Sequence, residues 1–522
     1  MIDSVLLRRN ENQARALGEF AIAFLRGELG EPDESVYNRV EAFHLDSIAC
    51  AVSAIARGTN APSILRQEAL SYPRDDPSCG VPLLGSRALV VPEKAVAANC
   101  SATREWDANG TNFGYNPQRG ATRGEFGHND FYPVAVAAAQ MSGCDGRKLM
   151  RAMILLDEIR GRLAEVFALR DYKIDHVLHG GIASAVVYGA LRGATPERIE
   201  SAVGMVVAHY VPFRAIRAGH QLSDSKGASA ALNAEMAVVS VERSMRGFVG
   251  PGDIFRNPQA VFCLFEPPGQ RDSSPFVLEL GARGDDFAVM GMHFKLGLYE
   301  HQSAGAIAGL MDVLSGNLAL LDDMQRLRRV RIAIYEPAYS IIGDPAKRDP
   351  RTRQSADHSM VYIIAKLLRK AYAWSRERRR HTPDSNVSAA TLWSELMLLP
   401  DDYADEALFD PTTRAIMEKV EFRHGGEEYD AKYPDGIPTS LEMEHEHLGM
   451  VSSGLVMYPE GHTRNMSGNL ESLLATKFRR LASLGVADSD ALRARFTGIV
   501  DKSAGEVRDL FDFEIRPDQC VP

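Results

Sequence analysis

Residues 104–133 concentrate side chains that transfer protons or bind polar ligands, between two alanine-rich apolar segments. They include Asp107, Thr111, His128 and Asp130, and five glycines interrupt the stretch. Glycine permits tight turns and a close approach of the backbone to a ligand, and the six aromatic residues favour an ordered segment over a disordered one. Loops of this length inside compact chains are often functional. We interpret the stretch as a candidate catalytic loop; the alternative is a surface loop whose Asn and Asp side chains cap turns.

The same loop resembles part of a known family. Its Asp107 with a nearby Asn and Thr, followed by a Gly127-His128-Asn129 element that opens a helix, is similar to the 2-methylcitrate dehydratase family, also called MmgE/PrpD. Further stretches agree with the family in the same order, so the resemblance covers nearly the whole chain. These stretches are HLDSIACAVSAIARG (44–58), DHVLHGGIASAVVYGALRGAT (175–195), SDSKGASAALNAEMAV (223–238), MHFKLGLYEHQSAGAIAGL (292–310), DHSMVYIIAKLL (357–368) and GHTRNMSGNLESLLATKFRRLA (461–482).

The resemblance implies chemistry on small polycarboxylates, which family members dehydrate, decarboxylate or epimerise without a metal. Each reaction generates carbanion-like charge beside a carboxylate, and enzymes stabilise such charge with fixed cations and oriented hydrogen-bond donors. The catalytic candidates are Asp107, His128, His176, His179, Lys226 and His301, with His128 expected to act as a protonated acid. The substrate-binding candidates are Asn109, Thr111 and Lys295, to which the loop of this chain adds Arg119 and Arg123.

Each candidate also has a structural interpretation. Lys226 and Lys295 lie between small or apolar residues, where the lysine stem packs and only the amine reaches water. The histidines of the DHVLH element fit half-buried positions at a helix start, and His301 fits a helix cap. If the lysines instead bind substrate carboxylates, we expect each Lys→Met variant to lose about tenfold or more of kcat/KM, with little change in folding.

Composition excludes several other classes of protein. The net charge of −10 disfavours a nucleic-acid partner, because phosphate binding needs a basic surface. No apolar run reaches the roughly 20 residues of a membrane span, so we expect a cytoplasmic protein without a membrane partner. The six cysteines form no CxxC pair and no HExxH element occurs, which predicts neither a metal nor another cofactor; zinc at GHND with the DHVLH histidines is the weaker alternative.

The pattern of apolar residues predicts a mainly α protein with two domains. A large all-α helical domain is predicted from residues 1–290 together with 462–522, and a smaller α+β lid domain from residues 291–461. Predicted landmarks are a helix from Pro92 to Thr103, a helix start at Thr195, and a strand with alternating Val330, Ile332 and Ile334. Residues 419–434 are expected to form a β-hairpin. The family resemblance further implies a homodimer.

The function expected from these features is that of a carbon–oxygen lyase. The first hypothesis is a cofactor-independent enzyme that dehydrates a citrate-like hydroxy acid of the 2-methylcitrate type, as in propionate metabolism. Residues 108–112 and 127–131 depart from the dehydratase branch of the family, which leaves open a cis-aconitate-type decarboxylase or a dicarboxylate epimerase. A non-catalytic carboxylate-binding homologue is the third hypothesis.

Overall fold

The structure, a computed structural model, describes residues 3–217, 221–381 and 387–517. More than half of the chain is helical, so the prediction of a mainly α protein is confirmed. The helices are α1 (Gln13–Leu25), α2 (Glu34–Ala56), α3 (Asn60–Leu70), α4 (Pro92–Arg104), α5 (Tyr132–Met141), α6 (Gly146–Val166), α7 (Val177–Leu191), α8 (Pro196–His209), α9 (Asp224–Met245), α10 (Val261–Phe265), α11 (Ser303–Gly316), α12 (Glu336–Ile342), α13 (Arg353–Ala356), α14 (Met360–His381), α15 (Ala389–Leu396), α16 (Asp405–Leu408), α17 (Pro411–Met417), α18 (Glu427–Asp430), α19 (Leu470–Ala482), α20 (Ser489–Phe496) and α21 (Ala504–Arg508).

Helix α7 lies at the centre of the helical region and is apolar on all sides. A helix of this kind is buried on every face, and α7 packs against α1, α5, α6, α8 and α9. Gly180 permits the closest of these approaches: a Cβ at this position would lie 2.1 Å from the ring of Phe131. Phe131 ends the candidate loop, so the core helix fixes the position of that loop.

The helix starts next to the candidate residues follow ordinary capping rules. Thr195 caps α8, where its hydroxyl accepts a hydrogen bond from the Arg198 backbone N–H (3.4 Å), as the sequence predicts. Helix α4 begins at Pro92, also as predicted, and its last residue is Arg104. Helix α9 places Lys226 in its first turn. The end of α4 and the start of α9 therefore bring Arg104 and Lys226 to the same cavity.

The strands are short outside one four-stranded sheet. We expected the first 290 residues to be all helical, but some of their loop segments pair as short strands. The pairs are β1 with β6, β2 with β3, and β4 with β5. These loops satisfy the hydrogen-bonding capacity of their backbone N–H and C=O groups by pairing. The strands are β1 (Ser4–Leu7), β2 (Val81–Pro82), β3 (Leu89–Val90), β4 (Thr111–Phe113), β5 (Glu125–His128), β6 (Leu278–Gly281), β7 (Leu327–Ile334), β8 (Val420–His424), β9 (Thr439–His445) and β10 (Gly449–Val456).

The larger sheet has the order β10-β9-β7-β8 and contains the predicted strand β7. The hairpin predicted at residues 419–434 is wrong. Strand β8 lies parallel to β7, and the chain continues into the short helix α18 instead of a returning strand. The acidic pair Glu427-Glu428 stabilises a helix start after Gly426, whose φ is +82°. The hairpin is formed instead by β9 and β10.

The C-terminal helices contact the helical region. Helix α19 packs on α2, and α21 packs on α5 and α6, while α19 also contacts α15. The boundaries at residues 290 and 461 stay a prediction. In the described ranges, every helix is too short or too polar to cross a bilayer.

Candidate active site

Strands β4 and β5 give the candidate loop an ordered frame. Thr111 faces His128 in the antiparallel pair. The backbone of Thr111 also exchanges two hydrogen bonds with His293, at N···O distances of 2.9 and 3.0 Å. Beneath the loop, the Tyr132 hydroxyl and the Asn129 amide both donate to the buried carboxylate of Asp157. The loop is thereby fixed to α6 on one side and to the segment leading into α11 on the other.

A cavity of about 110 Å³ lies where these segments meet. Seven of the eleven residues predicted from the sequence line it, namely Asp107, Thr111, His128, His176, Lys226, Lys295 and His301. The sequence analysis missed the other lining residues, which are Arg104, Phe126, Arg214, Arg217, Leu222, Glu300, Gln302, Ile341, Lys347 and His358.

The other four predicted residues lie outside this cavity. His179 is buried one turn after His176, and burial lowers its pKa to about 3. Asn109 is fully buried, and neither polar atom of its side chain has a hydrogen-bond partner in the described ranges. Arg119 forms ion pairs with Glu279 and Asp286. Arg123 is 60% exposed. The two arginines lie in the segment that joins β4 to β5, and neither lines the cavity.

Asp107 is the centre of a buried ionic cluster. Its Oδ1 accepts a hydrogen bond from the Lys295 amine, and its Oδ2 lies 2.9 Å from His358 Nε2. Burial alone raises the pKa of this carboxyl, but the surrounding cations outweigh burial and hold the pKa well below its usual range. Asp107 is therefore ionised and a weak base. The cations around it are Lys295, Arg104, His358 and Lys226.

His358 joins two carboxylates. Its Nδ1 lies 2.7 Å from Asp357 Oδ1 and its Nε2 2.9 Å from Asp107 Oδ2. Burial and the charge of Lys226 lower the pKa of His358, and the two carboxylates oppose that shift. Because a carboxylate only accepts hydrogen bonds, both ring nitrogens must donate, and we assign the doubly protonated form. The available sequence signal was the Asp-His pair directly before the apolar helix α14.

The same three residues form the one set in the described ranges whose ligand atoms lie close enough to hold a metal ion, within 4.8 Å of one another. The carboxylates of this set are already paired with protein cations. Lys226 Nζ lies 2.9 Å from Asp357 Oδ1, and Lys295 donates to Asp107. A cation entering here would have to displace these ammonium groups, so the donor set fits a metal poorly.

Three imidazoles face the cavity with unused hydrogen-bonding capacity. Both ring nitrogens of His176 and of His301, and Nδ1 of His128, have no hydrogen-bond partner in the described ranges. Burial holds the pKa of all three well below its usual range, so they are neutral. His128 Nε2 lies 3.2 Å from a guanidinium nitrogen of Arg104, which only donates, so the proton of His128 lies on Nδ1. His128 is thus a neutral N–H donor in the ligand-free protein, not the protonated acid that we expected.

Lys477, which the sequence analysis also missed, holds the two sides of the site together. This lysine of α19 is fully buried, and its amine donates to the carbonyl oxygens of Ala108 and Lys295 and to Asp46 Oδ1 (2.6 Å). All three ammonium protons are thereby used. Ala108 follows Asp107, so Lys477 fixes the backbone beside both partners of the Asp107–Lys295 pair.

The two cavity lysines are more deeply buried than the sequence suggests. Lys226 and Lys295 are each 1% exposed and pair with carboxylates. Replacing either lysine with Met leaves a buried carboxylate short of a partner, which typically costs about 3–5 kcal/mol. We therefore revise the expectation that folding changes little in the Met variants, and test the cluster at its central carboxylate instead.

Glu300 is expected to make stability depend on pH. Burial raises its pKa to about 7, while the Ser303 hydroxyl and the Gln302 N–H donate to its oxygens. Between about pH 4.5 and 7 the unfolded chain ionises Glu300 and the folded protein does not, so stability falls as pH rises through this window, by about 3 kcal/mol in total. Urea unfolding at pH 5 and pH 8 should show a smaller fall for Glu300→Gln than for the wild type.

The control for this measurement is Glu428→Gln, because Glu428 is 70% exposed and, among the residues that the structure describes, forms an ion pair with Lys432 alone. This variant should follow the wild-type pH dependence. Equal pH dependence of the wild type and Glu300→Gln would show that Glu300 ionises normally in the folded protein.

A larger cavity, of about 360 Å³, lies on the opposite side of β4. Its acidic side chains are largely engaged with neighbouring groups: Asp286 with Arg119 and Arg162, and Asp435 with Arg464 and two tyrosine hydroxyls. Buried polar atoms without partners line the smaller cavity instead. A group that is buried without a partner carries an energetic cost, and a bound ligand can remove it. The smaller cavity is therefore the candidate active site.

Comparisons with known proteins bear on the family of the chain. Residues 25–271 match the profile of the MmgE/PrpD N-terminal domain. The chain is also similar to alkylcitrate dehydratase phiI of Fungal sp. (strain ATCC 74256), with 22% identity over 521 residues that cover 93% of this chain and 91% of that protein. The family resemblance seen in the sequence is confirmed, and residues 25–271 carry an N-terminal domain of the MmgE/PrpD family.

Proposed function

We propose that the protein is a metal- and cofactor-independent lyase that removes water from a small, citrate-like hydroxy polycarboxylate. Membership of the family and the similarity to an alkylcitrate dehydratase support a dehydratase. The observation that carries the proposal is the chemistry of the cavity wall. There, three neutral imidazoles, each with at least one ring nitrogen that has no partner in the described ranges, stand among six lysine and arginine side chains and two carboxyl groups. Such a surface binds an anion that bears several carboxylates.

The elimination needs a base and a proton donor on the same substrate. A base takes the proton from the carbon beside a carboxylate, the electron pair of that C–H bond forms the double bond, and the hydroxyl leaves as water after receiving a proton. We assign the base to His301, because both of its nitrogens are available. His128 presents its Nδ1–H to the leaving hydroxyl. The lysine and arginine charges stabilise the carboxylate on which negative charge accumulates.

We further propose that residues 291–461 form a lid over the helical domain and that the protein is a cytoplasmic homodimer. The lid proposal rests on Lys295 and His301, which lie at the start of this segment and face Asp107 and Lys226 across the cavity. Closure of a lid would exclude water from the charged groups and strengthen their interactions. The dimer rests on the family resemblance, and the location rests on the apolar runs of the sequence, which are all shorter than a membrane span.

Incubation of the protein with a panel of polycarboxylates, followed by ¹H NMR, tests the activity. We expect 2-methylcitrate, a longer alkylcitrate or citrate to lose water and give the unsaturated acid. Release of CO₂ from cis-aconitate, or exchange of the α-proton of iminodisuccinate, would instead show the decarboxylase or epimerase alternative. Ligand-induced stabilisation without turnover would show a carboxylate-binding homologue.

The variant His301→Gln tests the assignment of the base within the same assay. Loss of a general base typically costs 10²–10⁴-fold in rate, so we expect kcat to fall by at least about 100-fold. Arg119→Gln is the matched control, because Arg119 lies outside the cavity in ion pairs with Glu279 and Asp286, and it should keep wild-type kcat. A His301→Gln variant with wild-type kcat would remove His301 from the mechanism.

A further inference from the structure

Most of the positive charge around the cavity is already neutralised by carboxylates of the protein. Lys295 pairs with Asp107, and Lys226 pairs with Asp357. Arg217 binds Asp175 through two hydrogen bonds, one of them from Nη2 to Oδ1 at 3.2 Å. These groups are occupied in the ligand-free protein, so a substrate carboxylate has to compete with an internal carboxylate for each of them.

Arg214 and Lys347 are the exceptions. In the described ranges, neither side chain lies within 4.0 Å of a carboxylate oxygen, and the buried Nη1 of Arg214 has no hydrogen-bond partner. Burial lowers the pKa of both groups, and the charge of Arg214 further lowers the pKa of Lys347, as expected of two cations that are close together on the cavity wall.

The carboxyl groups whose charge acts most on this pair are Asp175 and Glu125 for Arg214, and Glu300 and Asp344 for Lys347. Asp175 is held by Arg217. Glu125 accepts hydrogen bonds from the backbone N–H groups of Phe126 and Arg170, both at 2.9 Å, and Glu300 caps the start of α11. Burial raises the pKa of both Glu125 and Glu300 to about 7. Neither Glu125 nor Glu300 therefore neutralises the arginine and the lysine fully. Arg214 and Lys347 are half-buried and no carboxylate contacts them in the described ranges, so both gain from binding an anion.

We propose that Arg214 and Lys347 form a second carboxylate subsite, which binds the end of the substrate farthest from the Asp107 cluster. This inference rests on the proposed function and narrows its substrate class to acids with at least two carboxylates held apart at opposite ends of the cavity. The apolar lining residues Phe126, Leu222 and Ile341 contact the hydrocarbon part of such a substrate. The subsite sets specificity, whereas the imidazoles carry out proton transfer.

Binding of propane-1,2,3-tricarboxylate, which lacks the hydroxyl needed for elimination, tests the subsite without turnover. A charge-assisted contact contributes about 1.5–3 kcal/mol. Arg214→Gln and Lys347→Met should therefore each raise the Kd at least about tenfold in isothermal titration calorimetry. Arg214→Lys keeps the charge and should recover most of the affinity. Lys432→Met is the control, because in the described ranges the Lys432 amine bonds only to Glu428 and does not line the cavity, and this variant should bind like the wild type.

A second arm of the test compares the kinetics of the wild type and Lys347→Met toward two substrates. Toward the hydroxy tricarboxylate that the wild type turns over best, Lys347→Met should raise KM by tenfold or more and leave kcat within about threefold. Toward the analogue whose distal carboxylate is a primary amide, the variant and the wild type should differ by less than threefold in kcat/KM. The wild type should prefer the free acid to the amide.

The two arms separate this inference from the proposed function. Tight tricarboxylate binding that Arg214→Gln and Lys347→Met weaken, with no turnover of any acid, keeps the subsite and overturns the lyase. Turnover with unchanged Kd and KM in both variants keeps the lyase and overturns the subsite. Wild-type binding of propane-1,2,3-tricarboxylate too weak to detect also overturns the subsite.

Discussion

Asp107→Asn should lose at least about 100-fold in kcat/KM and about 3–5 kcal/mol of unfolding free energy at pH 7. The isosteric amide keeps the shape of the side chain but leaves Lys295, Lys226 and the His358 imidazolium without their shared anion. Removing one member of a buried ion pair has a cost of this size, because the remaining charges stay desolvated. Activity should fall because the lysines and the His358 ring shift when their anchor is lost.

The stability difference should depend on pH in a defined direction. The folded-state pKa of Asp107 lies well below its unfolded value of roughly 3.9. The contribution of Asp107 to the free energy of unfolding is therefore complete above about pH 4 and is lost as pH falls through the folded-state pKa. Urea unfolding of wild type and Asp107→Asn should show the largest difference at neutral pH and a smaller one in strong acid.

The double variant Asp107→Asn with Lys295→Met provides the control for charge imbalance. Removing the cation together with the anion relieves part of the penalty, so the double variant should be more stable than the sum of the single variants predicts. Strict additivity, or an Asp107→Asn protein as stable as the wild type, would contradict the ionic cluster.

Lys477→Met should have the second largest effect on stability and activity. The variant leaves Asp46 and two backbone carbonyls buried without their donor. We expect a loss of about 3–5 kcal/mol in urea unfolding, and at least a tenfold fall in kcat at saturating substrate. The fall in kcat follows because the Ala108 and Lys295 backbones are no longer fixed to each other, so the catalytic groups sample more positions.

Lys432→Met separates this effect from general loss of a lysine. Lys432 is 34% exposed and pairs with Glu428, which is 70% exposed. An ion pair that water reaches in this way contributes about 0.2–1 kcal/mol, so this variant should unfold almost like the wild type. A Lys477→Met protein that loses stability but keeps wild-type kcat would show that Lys477 supports the fold without positioning the site.

The features that the sequence predicted well are those that depend on local pattern. The Thr195 cap, the Pro92 helix start and the alternating strand around Val330 all follow from residues a few positions apart. The hairpin at residues 419–434 failed because alternation of apolar residues cannot distinguish a returning strand from a helical turn that buries the same side chains. The parallel pairing of β8 with β7 is a long-range contact.

The site shows the same division between local and distant information. Asp107, Lys226 and Lys295 stand out among small or apolar neighbours and could be selected from the sequence. Arg214 and Lys347 could not, because a surface arginine and a cavity arginine look alike until distant segments meet. Arg119 shows the converse: it lies in the correct loop, but on the turn that faces its partners Glu279 and Asp286.

The contacts of Lys477 also bear on how the protein folds. Its hydrogen bonds join positions 369 and 182 residues apart in the chain. Contacts between such distant positions form only after long loops have closed, which makes them late events in folding. A nascent chain that has emerged only as far as the first 290 residues lacks both Lys295 and Lys477. The catalytic centre is therefore completed only after synthesis has passed α19.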